Sequence, residues 1–415
     1  MVGARFLGAA PLRGTWDTIG TAEQLAWLRE EESRLIGFPA AFVTPRGDAP
    51  LLDFRGGTSP ESAPTFITAR LAYVAGLAAM RGVAPAEESL PRLIEHLISI
   101  EDDGWTDHAD DPDDAPQSLY TLAFVVFASA TAVIAGEPSA RPLLDRALSV
   151  LRTRFWDERR GLGIDKVSKD GTRGHYRGIN ANMHLVEALL TASDALDDPW
   201  CADAAVGICQ AVVECAAGNK FRIHEHFDED WRPLPDHNRD KPDHAYVPYG
   251  STVGHGYEWT RLIVQASRIP GADPDLGRAA QALFERATLD GWSSDGAEGF
   301  LYTVGWRGEP VSRQRLHWVP CEALAATAAL ARVTGDQVYV DWFETWRDHI
   351  DRVFLDRVDG SWHHRVLIDD LRPFDRAAPK PDLYHTYQAM VAVQLPVETS
   401  VAKAVREARA GRAAS

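Results

Sequence analysis

A chain of 415 residues is long enough for two average domains or one large repetitive one. With 45% hydrophobic and 25% charged residues it can bury a sizeable core and lacks the composition of a disordered chain. Its 43 basic residues stand against 60 acidic ones, a net charge of −17 that argues against nucleic acid and anionic membranes as partners. A small anion held by a local arginine stays compatible with that charge.

Met1 to Arg13 lacks the apolar stretch of a secretory signal, and no run of 18 apolar residues occurs anywhere. The expectation is a protein that neither spans nor binds a membrane. Helical spacing of Ala, Leu and Val predicts helices over 21–36, 62–82, 88–100, 116–136, 140–154, 179–197, 200–217, 254–268, 274–289, 318–334, 337–354 and 381–394. Every second helix starts near 62, 116, 179, 254, 318 and 381, intervals of about 55 to 75 residues, which leave room for one partner helix and a loop. Pro64, Pro116, Pro320 and Pro381 stand at starts in this series, where a fixed φ and a missing N–H cost nothing. The preceding loops share glycine and an aromatic, as at Gly104-Trp105, Gly299-Phe-Leu-Tyr302 and Gly360-Ser-Trp362, while Gly161-Leu-Gly163 is another short turn. Six helix pairs with decorated loops predict an all-α fold: one (α/α)6 barrel over residues 1–415, with short β-hairpins at one rim.

Cys201, Cys209, Cys215 and Cys321 contain no C-x-x-C pair, so neither a disulfide framework nor a zinc site is indicated, and a reducing cytoplasm is the simplest home. Most of the thirteen tryptophans are expected to fill a large helical core. The stretch Arg222-Ile-His-Glu-His-Phe-Asp228 alternates as a strand does. His224 and His226 then share a side with Glu225 opposite, and a metal is the minor reading there. No phosphate-binding glycine loop and no nucleophile elbow is present, and Cys321 reads as structural.

The polar residues carry the functional signal. The opening turns of the alternate helices hold Arg70, Tyr120, the run Asn180 to His184 with Glu187, His255 with Glu258 and Trp259, Trp318 with Glu322, and Asp382 with His385. Residues three or four apart share a helix face. In a closed barrel these faces line one concave pocket, the usual setting for small-molecule chemistry. Imidazole titrates near neutrality (pKa about 6.5), so His255 and His385 suit proton transfer. Positive helix ends favour neutral imidazoles and a developing enediolate. Asn180 and Arg70 are expected to hold hydroxyls, and Glu258 and Asp382 to orient imidazoles. Proton abstraction beside a carbonyl needs little more, so no cofactor and no metal is expected.

The blocks Arg177-Gly-Ile-Asn-Ala-Asn-Met-His184-Leu-Val-Glu187-Ala, His224-Glu-His-Phe-Asp228-Glu-Asp-Trp231, Tyr249-Gly-Ser-Thr-Val-Gly-His255-Gly-Tyr-Glu258-Trp259-Thr-Arg261-Leu and Asp382-Leu-Tyr-His385 resemble the N-acylglucosamine 2-epimerase superfamily, within it the mannose isomerase and sulfoquinovose isomerase branch. The resemblance runs from about residue 65 to 390 and implies a metal-independent (α/α)6 barrel. It implies that His385 carries a proton between C2 and C1 through a cis-enediol, that His255 assists ring opening and acts as second acid/base, and that Arg70, Asn180, His184, Glu258 and Trp318 bind the sugar; Glu322 and Asp382 complete the expected binding set. Ala245 and Val247 stand where sulfonate-binding relatives carry basic residues, Pro381 replaces a polar residue, and Leu122 replaces a histidine. A buried sulfonate without a cationic partner is costly. The substrate expected is therefore a neutral monosaccharide, D-mannose with D-fructose or D-lyxose with D-xylulose, turned over by a monomer or homodimer. The alternatives are 2-epimerisation of an N-acyl amino sugar or disaccharide, a sulfoquinovose isomerase, a glycoside hydrolase or lyase needing two carboxylates across a glycosidic bond, and a non-catalytic binding protein.

Overall fold

A computed structural model describes residues 21–112, 114–374 and 379–414. The segment Met1 to Arg13 lies outside the described residues.

Six helices form an inner ring: α2 (Thr65–Met80), α4 (Leu119–Ala135), α6 (Ile179–Leu196), α8 (Val253–Ala266), α10 (Trp318–Thr334) and α12 (Tyr384–Ala392). Each packs on the next and α12 returns to α2, which closes the barrel. These helices are buried on every side; in α4 every residue from Thr121 to Ala132 is inaccessible. A helix apolar all round has no solvent face to offer, and the alanines of α4 and α10 let neighbouring backbones approach closely. The outer ring holds α3 (Ala84–Ser99), α5 (Ala140–Val150), α7 (Pro199–Ala217), α9 (Leu276–Gly291) and α11 (Gln337–Val353), each against the inner helix before it. The sixth outer place is filled by α1 (Ala22–Ile36), which packs on α12. In α11 the buried set Tyr339, Val340, Phe343, Trp346, Ile350 and Val353 makes the single stripe of an amphipathic helix. Among the described residues α7 alone is long and apolar enough to cross a membrane by length and composition, and here it forms part of the outer wall.

Three expectations need correction. A thirteenth helix, α13 (Val401–Ala414), packs under α2, α4 and α6. The helix expected from 88 begins at Ala84 and carries Pro91 inside it. The helix expected to 154 turns wider after Val150, with a five-residue π-type turn over Leu151–Phe155.

Short strands lace the rim: β1 (Gln117–Ser118), β2 (Trp156–Asp157), β3 (Leu162–Gly163), β4 (Lys166–Val167), β5 (Arg177–Gly178), β6 (His226–Phe227), β7 (Ser251–Thr252), β8 (Thr303–Val304), β9 (Pro310–Ser312), β10 (Arg315–Leu316) and β11 (Arg365–Val366). The strand leading into an inner helix pairs antiparallel with one from the following loop: β1 with β4, β5 with β6, β7 with β8, and β10 with β11. One backbone bond recurs beside these pairs. The amides of Thr65, Leu119, Ile179, Val253 and His317 donate to the carbonyls of Asp107, Asp165, Glu225, Tyr302 and His364, at 2.8–3.1 Å. An orphan N–H at five of the six inner-helix entrances is thereby satisfied by the next loop, so these loops are pinned over the N-terminal ends of the inner ring.

Candidate functional site

Over those ends lies a cavity of about 1090 Å³, lined by Arg70, Tyr120, Asn180, His184, His255, Glu258, Trp318, Asp382 and His385 among others. Eight of the nine expected site residues therefore share one wall system, although they come from five of the six inner helices and the residues just ahead of α12, while Tyr120 adds the sixth helix, α4. Only Glu322 lies behind the lining.

Trp318, the first residue of α10, sits between the two histidines expected to be catalytic. Its indole centroid is 5.5 Å from the His255 ring and 5.6 Å from the His385 ring, with interplanar angles of 40° and 35°. Gly254 makes this possible, because a Cβ there would overlap the six-membered ring of Trp318.

The two imidazoles are held alike. Nδ1 of His385 lies 2.8 Å from Glu322 Oε1, and Nδ1 of His255 lies 2.9 Å from Glu225 Oε2. Both glutamates are buried. A carboxylate accepts only, so each Nδ1 carries the hydrogen and each Nε2 is left with its lone pair. The expectation that Glu258 and Asp382 orient the imidazoles is thus corrected: the carboxylates come from other elements. Glu322 is likewise a positioning residue behind His385 and no part of the cavity surface.

Glu225 was not among the expected site residues. Its backbone carbonyl takes the first amide of α6, while its side chain accepts from Thr252 N at the entrance of α8 at 3.0 Å and reaches His255. Asp165 and Asp107 do the same one and two repeats earlier, Asp165 accepting from Gly178 N ahead of α6, and Asp107 from Thr121 Oγ1 on α4. The acid recurs at this position in the loops before α4, α6 and α8, whereas Tyr302 and His364 take that position before α10 and α12. Burial works to raise the Glu225 carboxyl, but the electrostatic pull and hydrogen bond of His255, with the hydrogen bond from Thr252, prevail and hold it below the usual range.

The flanking histidines do not make a metal site. His226 bonds Tyr176 OH and the Pro248 carbonyl, both at 2.7 Å, whereas His224 stacks against Trp306 at 4.6 Å. They lie on opposite errands from Glu225, so the metal reading of that strand is withdrawn.

At the cavity floor Arg70 donates to Asp382 Oδ2 at 3.0 Å and to Tyr120 OH at 2.6 Å, with its guanidinium 4.5 Å above the Phe124 ring. Burial pushes the Asp382 carboxyl up, and the charge of Arg70, with a hydrogen bond from the Tyr384 amide, overrides it, so Asp382 stays ionised. Deeper still, Arg261 of α8 donates to Glu187 Oε1 at 2.8 Å and lies 3.5 Å from Glu322 Oε2, while Tyr384 OH donates to Glu187. Burial and the charges of Glu322 and Glu187 raise the Glu258 carboxyl well above its usual value, so Glu258 holds a proton beside the cavity. Its Oε1 lies 3.6 Å from His184 Nδ1. Burial, reinforced by Arg70, takes the His184 imidazole down to about 4, so it stays neutral. Asn180 turns a buried Oδ1 with no protein partner toward this region. The site thus offers the His255 and His385 imidazoles, the neutral imidazole of His184, the carboxylic acid of Glu258 and the ion pair of Arg70 with Asp382. That is an inventory for moving protons beside a carbonyl. Two sets of side chains have ligand atoms close enough for an ion: His184 with Glu187 and Glu258, and Glu258 with Glu322 and His385.

Leu122 is buried in the barrel wall, and Tyr120 beside it reaches the cavity. Ala245 lines the mouth and its carbonyl accepts from Tyr302 OH at 3.0 Å.

The chain is 41% identical over 397 residues to a D-mannose isomerase of Thermobifida fusca, covering 92% of this chain and 97% of that one. It is 38% identical over 391 residues to a D-mannose isomerase of Pseudomonas cannabina pv. alisalensis, covering 91% and 94%. Its fold matches a crystal structure of D-mannose isomerase with a TM-score of 0.82 at 25% identity, covering 91% of this chain and 98% of that one. The family model of N-acylglucosamine 2-epimerase matches residues 52–389, a span that contains every residue of the site described above, and the chain belongs to that family.

Proposed function

We propose that the protein is an aldose–ketose isomerase interconverting D-mannose and D-fructose, with D-lyxose and D-xylulose as a second pair. The observation that carries the chemistry is the pair of imidazoles, each fixed through Nδ1 by a buried glutamate, on either side of Trp318. The likeness to D-mannose isomerases over nine-tenths of the chain selects the sugar.

Ring opening takes the proton from O1 of the pyranose and delivers one to O5, and His255 Nε2 serves this exchange. In the open aldehyde, His385 Nε2 removes the proton on C2. Electrons flow toward O1 and give a cis-enediolate, whose charge Arg70 and the acid proton of Glu258 stabilise. A proton then moves from O2 to O1, and His385 returns its proton to C1, leaving the C2 ketone. Placing one base over C1 and C2 follows from its rigid tether to Glu322, since a second rotamer would break that bond.

The substrate is a neutral monosaccharide: Arg70 is already paired with Asp382, and Lys380 at the cavity edge is paired with Asp356. The proposal extends to a monomer or homodimer in a reducing cytoplasm, consistent with four unpaired thiols. The test is a chromatographic screen of free aldoses in chelator-treated buffer. Conversion of mannose to fructose, unaffected by EDTA, is the expected result. Conversion to glucose alone would make the protein a 2-epimerase, the reading left open by having an imidazole on each side of the site. Loss of activity to EDTA with recovery on adding manganese would replace proton transfer by a metal-assisted hydride shift.

A further inference from the structure

His184, Glu187 and Glu258 have no role as a group in the proton transfers above, yet their arrangement is unusual. All three are buried, on α6 and α8, and His184 and Glu258 face the cavity. His184 Nδ1 lies 3.6 Å from Glu258 Oε1 and 3.9 Å from Glu187 Oε2, and the three ligand atoms are mutually within 4.8 Å. Glu258 Oε1 has no hydrogen-bond partner although Glu258 is only 1% exposed. A buried acceptor left open in this way is costly unless something else meets it.

We propose that His184, Glu187 and Glu258 form a binding site for a divalent transition ion of the zinc class, and that such an ion inhibits the enzyme by occupying the floor of the sugar cavity. Zinc binds imidazole nitrogen and carboxylate oxygen at about 2.0–2.2 Å, so ligand atoms around it stand roughly 3.4 Å apart. From His184 Nδ1 the two carboxylate oxygens would have to close by about 0.2 and 0.5 Å, and the two carboxylates, within 4.8 Å of each other, would have to draw together as well. His184 is neutral, so a lone pair is available, and imidazole nitrogen and carboxylate oxygen are both zinc ligands. The fourth position opens into the cavity and takes water.

Charge points the same way. Glu187, Glu258 and Glu322 converge on Arg261, which can neutralise only one of them. The other cation nearby, Arg70, is committed to Asp382. The acid proton of Glu258 now relieves the excess, and a dication in its place relieves it further. In the second triad, Glu258 with Glu322 and His385, Glu322 takes the Nδ1 hydrogen of His385, and in the first Tyr384 OH donates to Glu187 and lies 3.5 Å from His184 Nδ1, so an ion on either triad displaces an existing hydrogen bond. An ion on the first triad would hold His184 and Glu258 away from sugar hydroxyls. The inhibition therefore rests on the isomerase reading, whereas the binding does not.

Chelator-stripped protein should be titrated with zinc by calorimetry, and with cobalt to read its visible absorption. One ion per chain is expected, with affinity falling at least about tenfold in His184→Asn and in Glu258→Gln. Equal affinity in both folded variants, or no binding to wild type, would overturn the site. An anomalous map of a zinc-soaked wild-type crystal decides independently of the variants: density between the three side chains supports the proposal, and density only elsewhere ends it. If the ion binds there and mannose turnover is unchanged, the site stands and its inhibitory role falls.

Discussion

Glu225 and Glu322 hold the Nδ1 atoms of His255 and His385, and their removal should separate orientation from acid–base chemistry. His385→Ala should abolish turnover with folding intact by circular dichroism, since no water can replace a fixed base. Glu225→Gln should stay folded and lose on the order of a hundredfold in kcat, with an altered pH profile, because the amide can present its own N–H and allow the wrong tautomer of His255. An unchanged profile would reduce Glu225 to a helix-entrance acceptor for Thr252. His255, His385 and the sugar-facing set could be read in the sequence because each recurs at the start of an alternate helix. Glu225 and the true role of Glu322 could not. The first lies 30 residues from its histidine and the second 63, and separations of that size are fixed by barrel closure and not by helical spacing.

Among elements, the entrance of α8 is packed most tightly against the chemistry. Gly254→Ala would push the indole of Trp318 out of the gap between the two imidazoles. Overpacking of this kind costs roughly 1–3 kcal/mol, and a misplacement near 1 Å can cost about a hundredfold in rate. A fall in kcat/KM much larger than the fall in stability is expected, measured by steady-state kinetics beside denaturant unfolding. At the far end, α13 buries Ala402, Ala404 and Val405, and Arg406 donates to the Ile134 carbonyl at the end of α4. Deleting residues 401–414 should lower thermal stability by uncovering the floor formed by α2, α4 and α6. The helix escaped the sequence reading because its buried stripe is made of small residues, which give little periodic contrast. The inner helices were legible for the opposite reason: repeated long apolar segments at a fixed interval fit nothing but paired helices.

For the whole molecule, many imidazoles are buried neutral. Burial lowers His184 to about 4 and also lowers His226, His317, His349 and His364. In the unfolded chain these groups take up protons near pH 6.5, so between that pH and their folded values the unfolded state binds more protons. Stability must then rise with pH across this window and be lost as pH falls through it; His184 alone contributes on the order of 3 kcal/mol. Urea unfolding at pH 8 and pH 5 should show the protein much weaker in acid, and equal midpoints would contradict the burial described here. Turnover should fall in acid as well, because a base imidazole that has taken up a proton cannot abstract another.

The account depends most on a proton leaving C2 and arriving at C1 by way of a histidine that exchanges with solvent. Mannose incubated with the enzyme in heavy water, followed by proton NMR of the products, measures this directly. Fructose carrying deuterium at C1 is the predicted result. Fructose with no solvent label would mean a shielded or direct hydrogen transfer, and glucose labelled at C2 as the sole product would mean that the proton returns to the opposite face of the same carbon.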